Sequence, residues 1–504
     1  MKPTADANTE REIARVERAR VDTSARVPVL FFFTTAITWL FAATFFGTLA
    51  SLKLHLPELL GNLSWLTYGR IWPAYIDTFV YGWGCLAGMG TAIWLTARLC
   101  RVTLRSPGLL IIAGVFWNIG VTVGIAAILS GNSQGLELLE FPRFAAAILF
   151  IAYAFIAVWG VLMFRRRRPG HIYISLWYLI GAFFWFPWLY GATYLSISFL
   201  NVHGVVQAAI NAWFAQNLIS FWFGSIGLGA IYYFIPKVIG RPVHSYNLAS
   251  LGFWSFALFS GWTASTRLTG GPFPAWFSTV GIVACIMMLI PVATVTVNYM
   301  MTMRGYYHMV YHSPTIRFIF YGAIAWTITN VIAVLAALRS SDRVIHFTHF
   351  VAGQLQLNLY AFFSMVIFAS MYYIVPRLVG CEWLSASFIR IHFWGSAYGI
   401  GLLIAMLLLG GIKEGLTWDD PSRDITAVLQ ETLPYLRARS IAWLLLILGH
   451  FIFAVHFLIM LLRMGRPGGE ATLFAEIEDL GGEEPTAGPL TGVLVPAETE
   501  ATLA

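Results

Sequence analysis

The stretch His346–Tyr360, HFTHFVAGQLQLNLY, decides how the rest of the chain is read. It opens a long apolar segment and carries two glutamines, Gln354 and Gln356, at a depth where a membrane segment finds no water for them. At about 100° per residue the two lie roughly 200° apart on a helix, so they face two opposite pockets. Polar side chains so placed need a reason, and the flanking sequence has to supply it.

Working outward, the whole chain is of the same kind. Of its 504 residues 58% are hydrophobic and only 11% charged, and the mean hydropathy is +0.72. A soluble domain cannot carry that much apolar surface, so the chain is an integral membrane protein. Its 39 Phe, 20 Trp and 21 Tyr are enough both to fill deep interior space and to form interfacial belts. The four cysteines, Cys85, Cys100, Cys285 and Cys381, are scattered and form no C-x-x-C or C-x-x-C-H. Neither a redox pair nor a covalently attached haem is therefore read. The net charge of +7 reflects basic residues that set topology in a polytopic chain, and no nucleic-acid partner is read from it. The first apolar run, from about Pro28 to Ala50, is too long and too charged at its start for a cleavable signal peptide, so it is expected to stay as an anchor.

Apolar segments long enough to cross a bilayer fall near 28–51, 71–97, 107–130, 143–164, 172–198, 205–235, 248–265, 275–302, 316–338, 346–375, 389–411 and 440–462. The expectation is an all-α polytopic protein with about twelve transmembrane helices. Three regions follow: a polar cytoplasmic arm at 1–27, read as a short surface helix or a disordered arm; a membrane domain at 28–464; and a disordered acidic tail at 465–504. With the amino terminus inside, 21 of the 31 basic residues fall in cytoplasmic segments, as the positive-inside rule asks. An even number of spans returns the carboxyl terminus to the cytoplasm. The segment Lys413–Arg439 reads as the one sizeable loop on the outer side.

Several stretches carry a family pattern. They are WLTYGRIWP at Trp65–Pro73, EFPR at Glu140–Arg143, GHIYISLWY at Gly170–Tyr178, IYYFIPKVIGRPVHSY at Ile231–Tyr246 with LGFW at Leu251–Trp254, and FTHFVAG at Phe347–Gly353. In this order the chain resembles subunit I of the cbb3-type cytochrome c oxidases, within the haem-copper oxidase superfamily that also holds the nitric oxide reductases. The resemblance implies the twelve-helix fold of that subunit and a site built on six histidines, imidazole being well suited to iron and copper.

Carried over one at a time, the family's ligand positions hold other residues here. The low-spin haem ligand of the second helix falls on Tyr75, and the copper ligand of the sixth on Gln216. The paired copper ligands of the seventh fall on Thr266 and Arg267, and the redox tyrosine of that helix on Ser260. The high-spin and low-spin haem ligands of the tenth fall on Gln354 and Gln356. An amide is a weak ligand for haem iron, Thr offers copper little, and Arg267 would set a permanent cation beside it. Neither catalysis by the chain alone, nor a cofactor, nor a metal is therefore expected; haem b bound through Tyr75 as tyrosinate is the alternative. At roughly 24 cal/mol per Å³, a dry void of several hundred Å³ costs on the order of ten kcal/mol, so side chains, water, a lipid or a quinone must take the space. Asp77 is an intramembrane charge in need of a partner, with Arg267 as one candidate, and His346 and His349 read as hydrogen-bonding residues at the helix entrance. The resulting expectation is a degenerate oxidase subunit in a bacterial or archaeal inner membrane, with a structural or regulatory role beside a c-type cytochrome or another respiratory subunit. The alternatives are a working oxidase or nitric oxide reductase with unorthodox ligands, and a carrier for a small solute or quinone.

Overall fold

The computed structural model describes residues 5–465, so the expected tail lies outside the described residues. Among the described residues there are twelve long helical segments: α1 (Ala5–Lys53), α2 (68–100), α3 (Pro107–Ser130), α4 (Arg143–Arg165), α5 (Ile174–Phe199), α6 (Val205–Ile239), α7 (246–268), α8 (Ala275–Met303), α9 (Pro314–Ala337), α10 (His349–Val379), α11 (Ala386–Trp418) and α12 (Ile425–Leu461). Ten are long and apolar enough to cross a membrane by length and composition; α2 and α7 complete the set. Among the described residues every regular element is a helix, in keeping with apolar segments long enough to cross a bilayer.

The helices are not equivalent. The most apolar parts of α6 and α10 are 94% and 100% buried, against 39–56% in α1, α3, α4, α5, α8, α9, α11 and α12. In α2 every residue from Thr78 to Ala97 is buried. Three helices therefore run through the middle of the bundle, and the others present one face outward, with large apolar side chains such as Trp254, Trp276 and Phe184 exposed on them. Glycines let the central three approach closely. A Cβ on Gly84 would strike the Phe223 ring of α6, and one on Gly88 would press on Trp222 and Phe363. The central helices α6 and α10 end alike, at Gly240 and Gly380 with φ of 75° and 81°, a conformation glycine takes at no steric cost. A serine N-cap, Ser245 or Ser385, then starts the following helix.

Two expectations are corrected. The polar arm before Pro28 is not separate from the first span: α1 runs unbroken from Ala5, with Pro28 inside it. The segment Lys413–Arg439 is not a loop. Helix α11 continues to Trp418 and α12 begins at Ile425, where the Asp424 carboxylate accepts from the Ala427 amide at 2.9 Å. The two helices extend side by side and are joined by the Lys413–Glu431 ion pair at 3.3 Å. Polar composition marked this stretch as outside the bilayer, and a charged helical hairpin has the same composition as a loop.

Candidate functional site

Each central helix contains a π-helical stretch: Thr78–Cys85 in α2, Leu218–Phe223 in α6 and Leu357–Ser364 in α10. Each stretch begins within three residues of Tyr75, Gln216 or Gln356, positions that the sequence resemblance aligns with ligands. Such wide turns shift the register of a helix, cost hydrogen-bond geometry, and collect at functional sites.

Tyr75 and Gln356 face each other across the centre. The Tyr75 hydroxyl donates to Gln356 Oε1 at 3.0 Å, and both residues are buried. The Trp443 indole of α12 stands edge-on to Tyr75 at 5.2 Å between ring centroids, and Phe79 lies 4.3 Å from Tyr360. Gly47 of α1 is the floor under that indole, because a Cβ there would collide with the ring. Axial ligands of a haem stand on opposite sides of the iron, each roughly 2 Å from it as in other metal–nitrogen bonds, so their donor atoms are about 4 Å apart with a clear plane between them. Tyr75 and Gln356 are closer than that and bonded to each other. As arranged, they do not fit a haem held between them.

The remaining aligned positions make separate contacts. Gln354 is half-buried, two residues before Gln356 on α10, and its backbone carbonyl accepts from Asn358 Nδ2 at 3.2 Å. Gln216 is half-buried, and its backbone carbonyl accepts from the Ser220 hydroxyl at 2.8 Å. Ser260 is buried without a partner for its hydroxyl, and it opens the 3-10 turn Ser260–Leu268 that closes α7. Within that turn the Thr266 hydroxyl donates to the Thr263 carbonyl at 2.8 Å. Arg267 leaves the bundle and pairs with Glu137 of the loop 131–142 at 2.6 Å. Around them the interior holds aromatic rings, with Phe223 and Phe363 edge to face at 4.6 Å and the Trp222 indole donating to the Tyr153 hydroxyl at 2.7 Å. Among the described residues, no three or more His, Cys, Asp and Glu side chains gather as a metal site.

Arg267 is thus not the counter-ion of Asp77. The partner is Glu140, whose carboxyl meets that of Asp77 beneath the loop 131–142. Two ionised carboxylates have no proton to share, and as a pair of anions both Asp77 oxygens and Glu140 Oε2 would be buried without a donor. The contact is a hydrogen bond only when one carboxyl is protonated. Burial and the Asp77 carboxyl accordingly push Glu140 well above the ordinary carboxylate range.

The histidines of the entrance have protein partners. His349 donates its amide to Glu414 Oε2 at 2.8 Å, and its Nδ1 lies 2.7 Å from the same oxygen. The His346 ring sits 2.9 Å from Asp342. Sequence reasoning passed over three deeper histidines. His392 Nδ1 meets the Tyr372 hydroxyl and His450 Nδ1 meets the Thr44 hydroxyl, each at 2.8 Å, while His456 accepts from the Ser385 amide. It also passed over Arg439, buried with its guanidinium 5.6 Å from the centre of the Trp72 ring. Lone polar residues in apolar runs were the available signal, but only the fold says which of them meet.

With this geometry in view, the comparisons with known proteins place the chain. Its fold is that of a haem-copper terminal oxidase: it superposes on a chain of such an oxidase dimer solved by cryo-electron microscopy with a TM-score of 0.67 at 14% identity, covering 94% of this chain and 89% of that one. Residues 27–445 match the family described as cytochrome c and quinol oxidase polypeptide I, and the chain belongs to that family. Relatives include the cbb3-type cytochrome c oxidase subunit CcoN1 of Stutzerimonas stutzeri, 26% identical over 76% of this chain and 82% of that protein. Another is a cytochrome c oxidase subunit 1 homolog of Agrobacterium tumefaciens, 26% identical over 84% of this chain and 81% of that protein. The chain is therefore a multi-pass membrane protein like cytochrome c oxidase subunit I.

Proposed function

We propose that this chain is a haem- and copper-free member of its family that works as a structural or regulatory subunit of a respiratory membrane complex. The observation that carries the reading is the direct Tyr75–Gln356 hydrogen bond, which joins two side chains at positions where the family grips iron from both sides. Gln216, Thr266 and Arg267 at the copper positions support it, because an amide, an alcohol and a guanidinium are poor company for copper. The partners are other respiratory membrane subunits, a c-type cytochrome among them, in keeping with relatives that are oxidase subunits. The excess of basic residues in alternate loops supports an orientation with both termini on the cytoplasmic side of a bacterial or archaeal inner membrane.

The test is the absorption spectrum of the purified chain, with haem measured as its pyridine haemochrome. A colourless preparation is expected. About one haem b per chain would overturn the reading in favour of an oxidase with unorthodox ligands. Association is tested by affinity purification from native membranes, with co-isolation of a c-type cytochrome as the expected outcome. The chain recovered alone after mild solubilisation would count against the subunit role.

A further inference from the structure

At the arginine-rich end of the bundle, a groove of about 700 Å³ opens between the beginning of α1, the α2–α3 turn and the α4–α5 turn. Its walls combine two chemistries. Among the described residues, Val16 and Val102 contribute apolar surface, and three arginines, Arg20, Arg101 and Arg168, reach it with Glu17 as the one acidic residue. Glu17 is already taken, since Arg168 pairs with it at 2.9 Å. Arg20 and Arg101 are exposed and have no acidic partner among the described residues.

The depth of the groove is set by the residues beneath it. Asp22, one turn further along α1 toward the bilayer, is buried beside Arg98, with 3.5 Å between its Oδ1 and the guanidinium, and accepts from the Trp94 indole at 3.0 Å. The Ser24 hydroxyl accepts from the Leu104 amide at 2.8 Å, so α1 is fastened to the α2–α3 turn where the apolar spans begin. The groove therefore lies just beyond the hydrocarbon boundary, at headgroup level, on the side where anionic lipids meet basic loops. A site with two exposed guanidiniums that have no acidic partner among the described residues, and an apolar wall at that level, is complementary to a phosphodiester with acyl chains attached.

We propose that this groove binds the headgroup of an anionic phospholipid, with Arg20 and Arg101 on the phosphate and the first methylenes of the chains against Val16 and Val102. The lipid ties the extended start of α1 to the membrane face. The proposal is independent of whether the interior holds a cofactor.

The test is thermal unfolding of the purified full chain in neutral detergent with added phosphatidylglycerol, phosphatidylcholine or inorganic phosphate. Phosphatidylglycerol is expected to raise the midpoint more than phosphatidylcholine, with the difference shrinking as salt is added. The Arg20→Gln/Arg101→Gln double variant is expected to unfold like the parent without lipid and to lose the difference between the two lipids. A difference that survives in the double variant overturns the proposal, as does equal stabilisation by both lipids. If inorganic phosphate alone reproduces the shift, the groove is an ion site and not a lipid site. If the shift emerges only when Glu476, Glu478 and Asp479 are neutralised to Gln, Gln and Asn, the groove belongs to the acidic tail of this chain.

Discussion

At the scale of single residues, Tyr75 and Gln356 act as a pair, and their coupling is measurable. Gln356→Leu leaves the Tyr75 hydroxyl buried without its acceptor, and Tyr75→Phe leaves the amide without its donor. Each is expected to cost about 1–3 kcal/mol. The double variant removes both polar groups and is expected to cost clearly less than the two single losses together, as read from denaturation in detergent. Strict additivity would mean that the two side chains do not meet. The Asp77–Glu140 contact makes a second prediction. Glu140 titrates well above its ordinary value of 4.5 because of burial and the neighbouring carboxyl, so the folded state holds a proton that the unfolded chain releases. Stability is then greatest at low pH and falls as pH rises from about 4.5 toward the pair's own value. Asp77→Asn keeps a hydrogen bond to an ionised Glu140 without the shared proton and should flatten that slope; unfolding midpoints from pH 5 to pH 8 decide it.

At the scale of elements, the bundle centre is closed by aromatic rings seated on glycines. Gly47→Ala on α1 drives a methyl into the Trp443 indole and should cost about 1–3 kcal/mol, since a packed interior yields little. Gly401→Ala on α11 is the control, because nothing lies within 4 Å of the added methyl. It should be neutral or slightly stabilising in a helix interior. Equal effects of the two changes would mean that the Trp443 seat is not packed as described. The π-helical stretches belong to this scale too. They follow directly on Tyr75 and Gln356, and they shift the register of everything beyond these two residues relative to a regular 3.6-residue helix drawn from the sequence.

For the whole molecule, twelve helical segments place the α2–α3 and α11–α12 turns at opposite ends of the bundle. Ser106→Cys and Ser422→Cys, both at exposed positions, should therefore react with a membrane-impermeant maleimide from opposite sides. The native thiols Cys85, Cys100 and Cys285 are buried and Cys381 is half-buried, which keeps the background low. Labelling of both variants from one side in intact cells would break the topology.

Twelve apolar segments, their order, and the family pattern from Trp65 to Gly353 are legible in the chain alone, because the bilayer demands long apolar helices and leaves composition no other solution. So are the residue types at Tyr75, Gln216, Thr266, Arg267, Gln354 and Gln356. The sequence does not show that α11 and α12 run on past the membrane as a hairpin, nor that Glu140 reaches Asp77 while Arg267 turns away to Glu137. Those outcomes depend on which side chains arrive at the same point in space. That is set by helix packing and by π turns that shift the register, and no periodicity in one segment records where another segment lies.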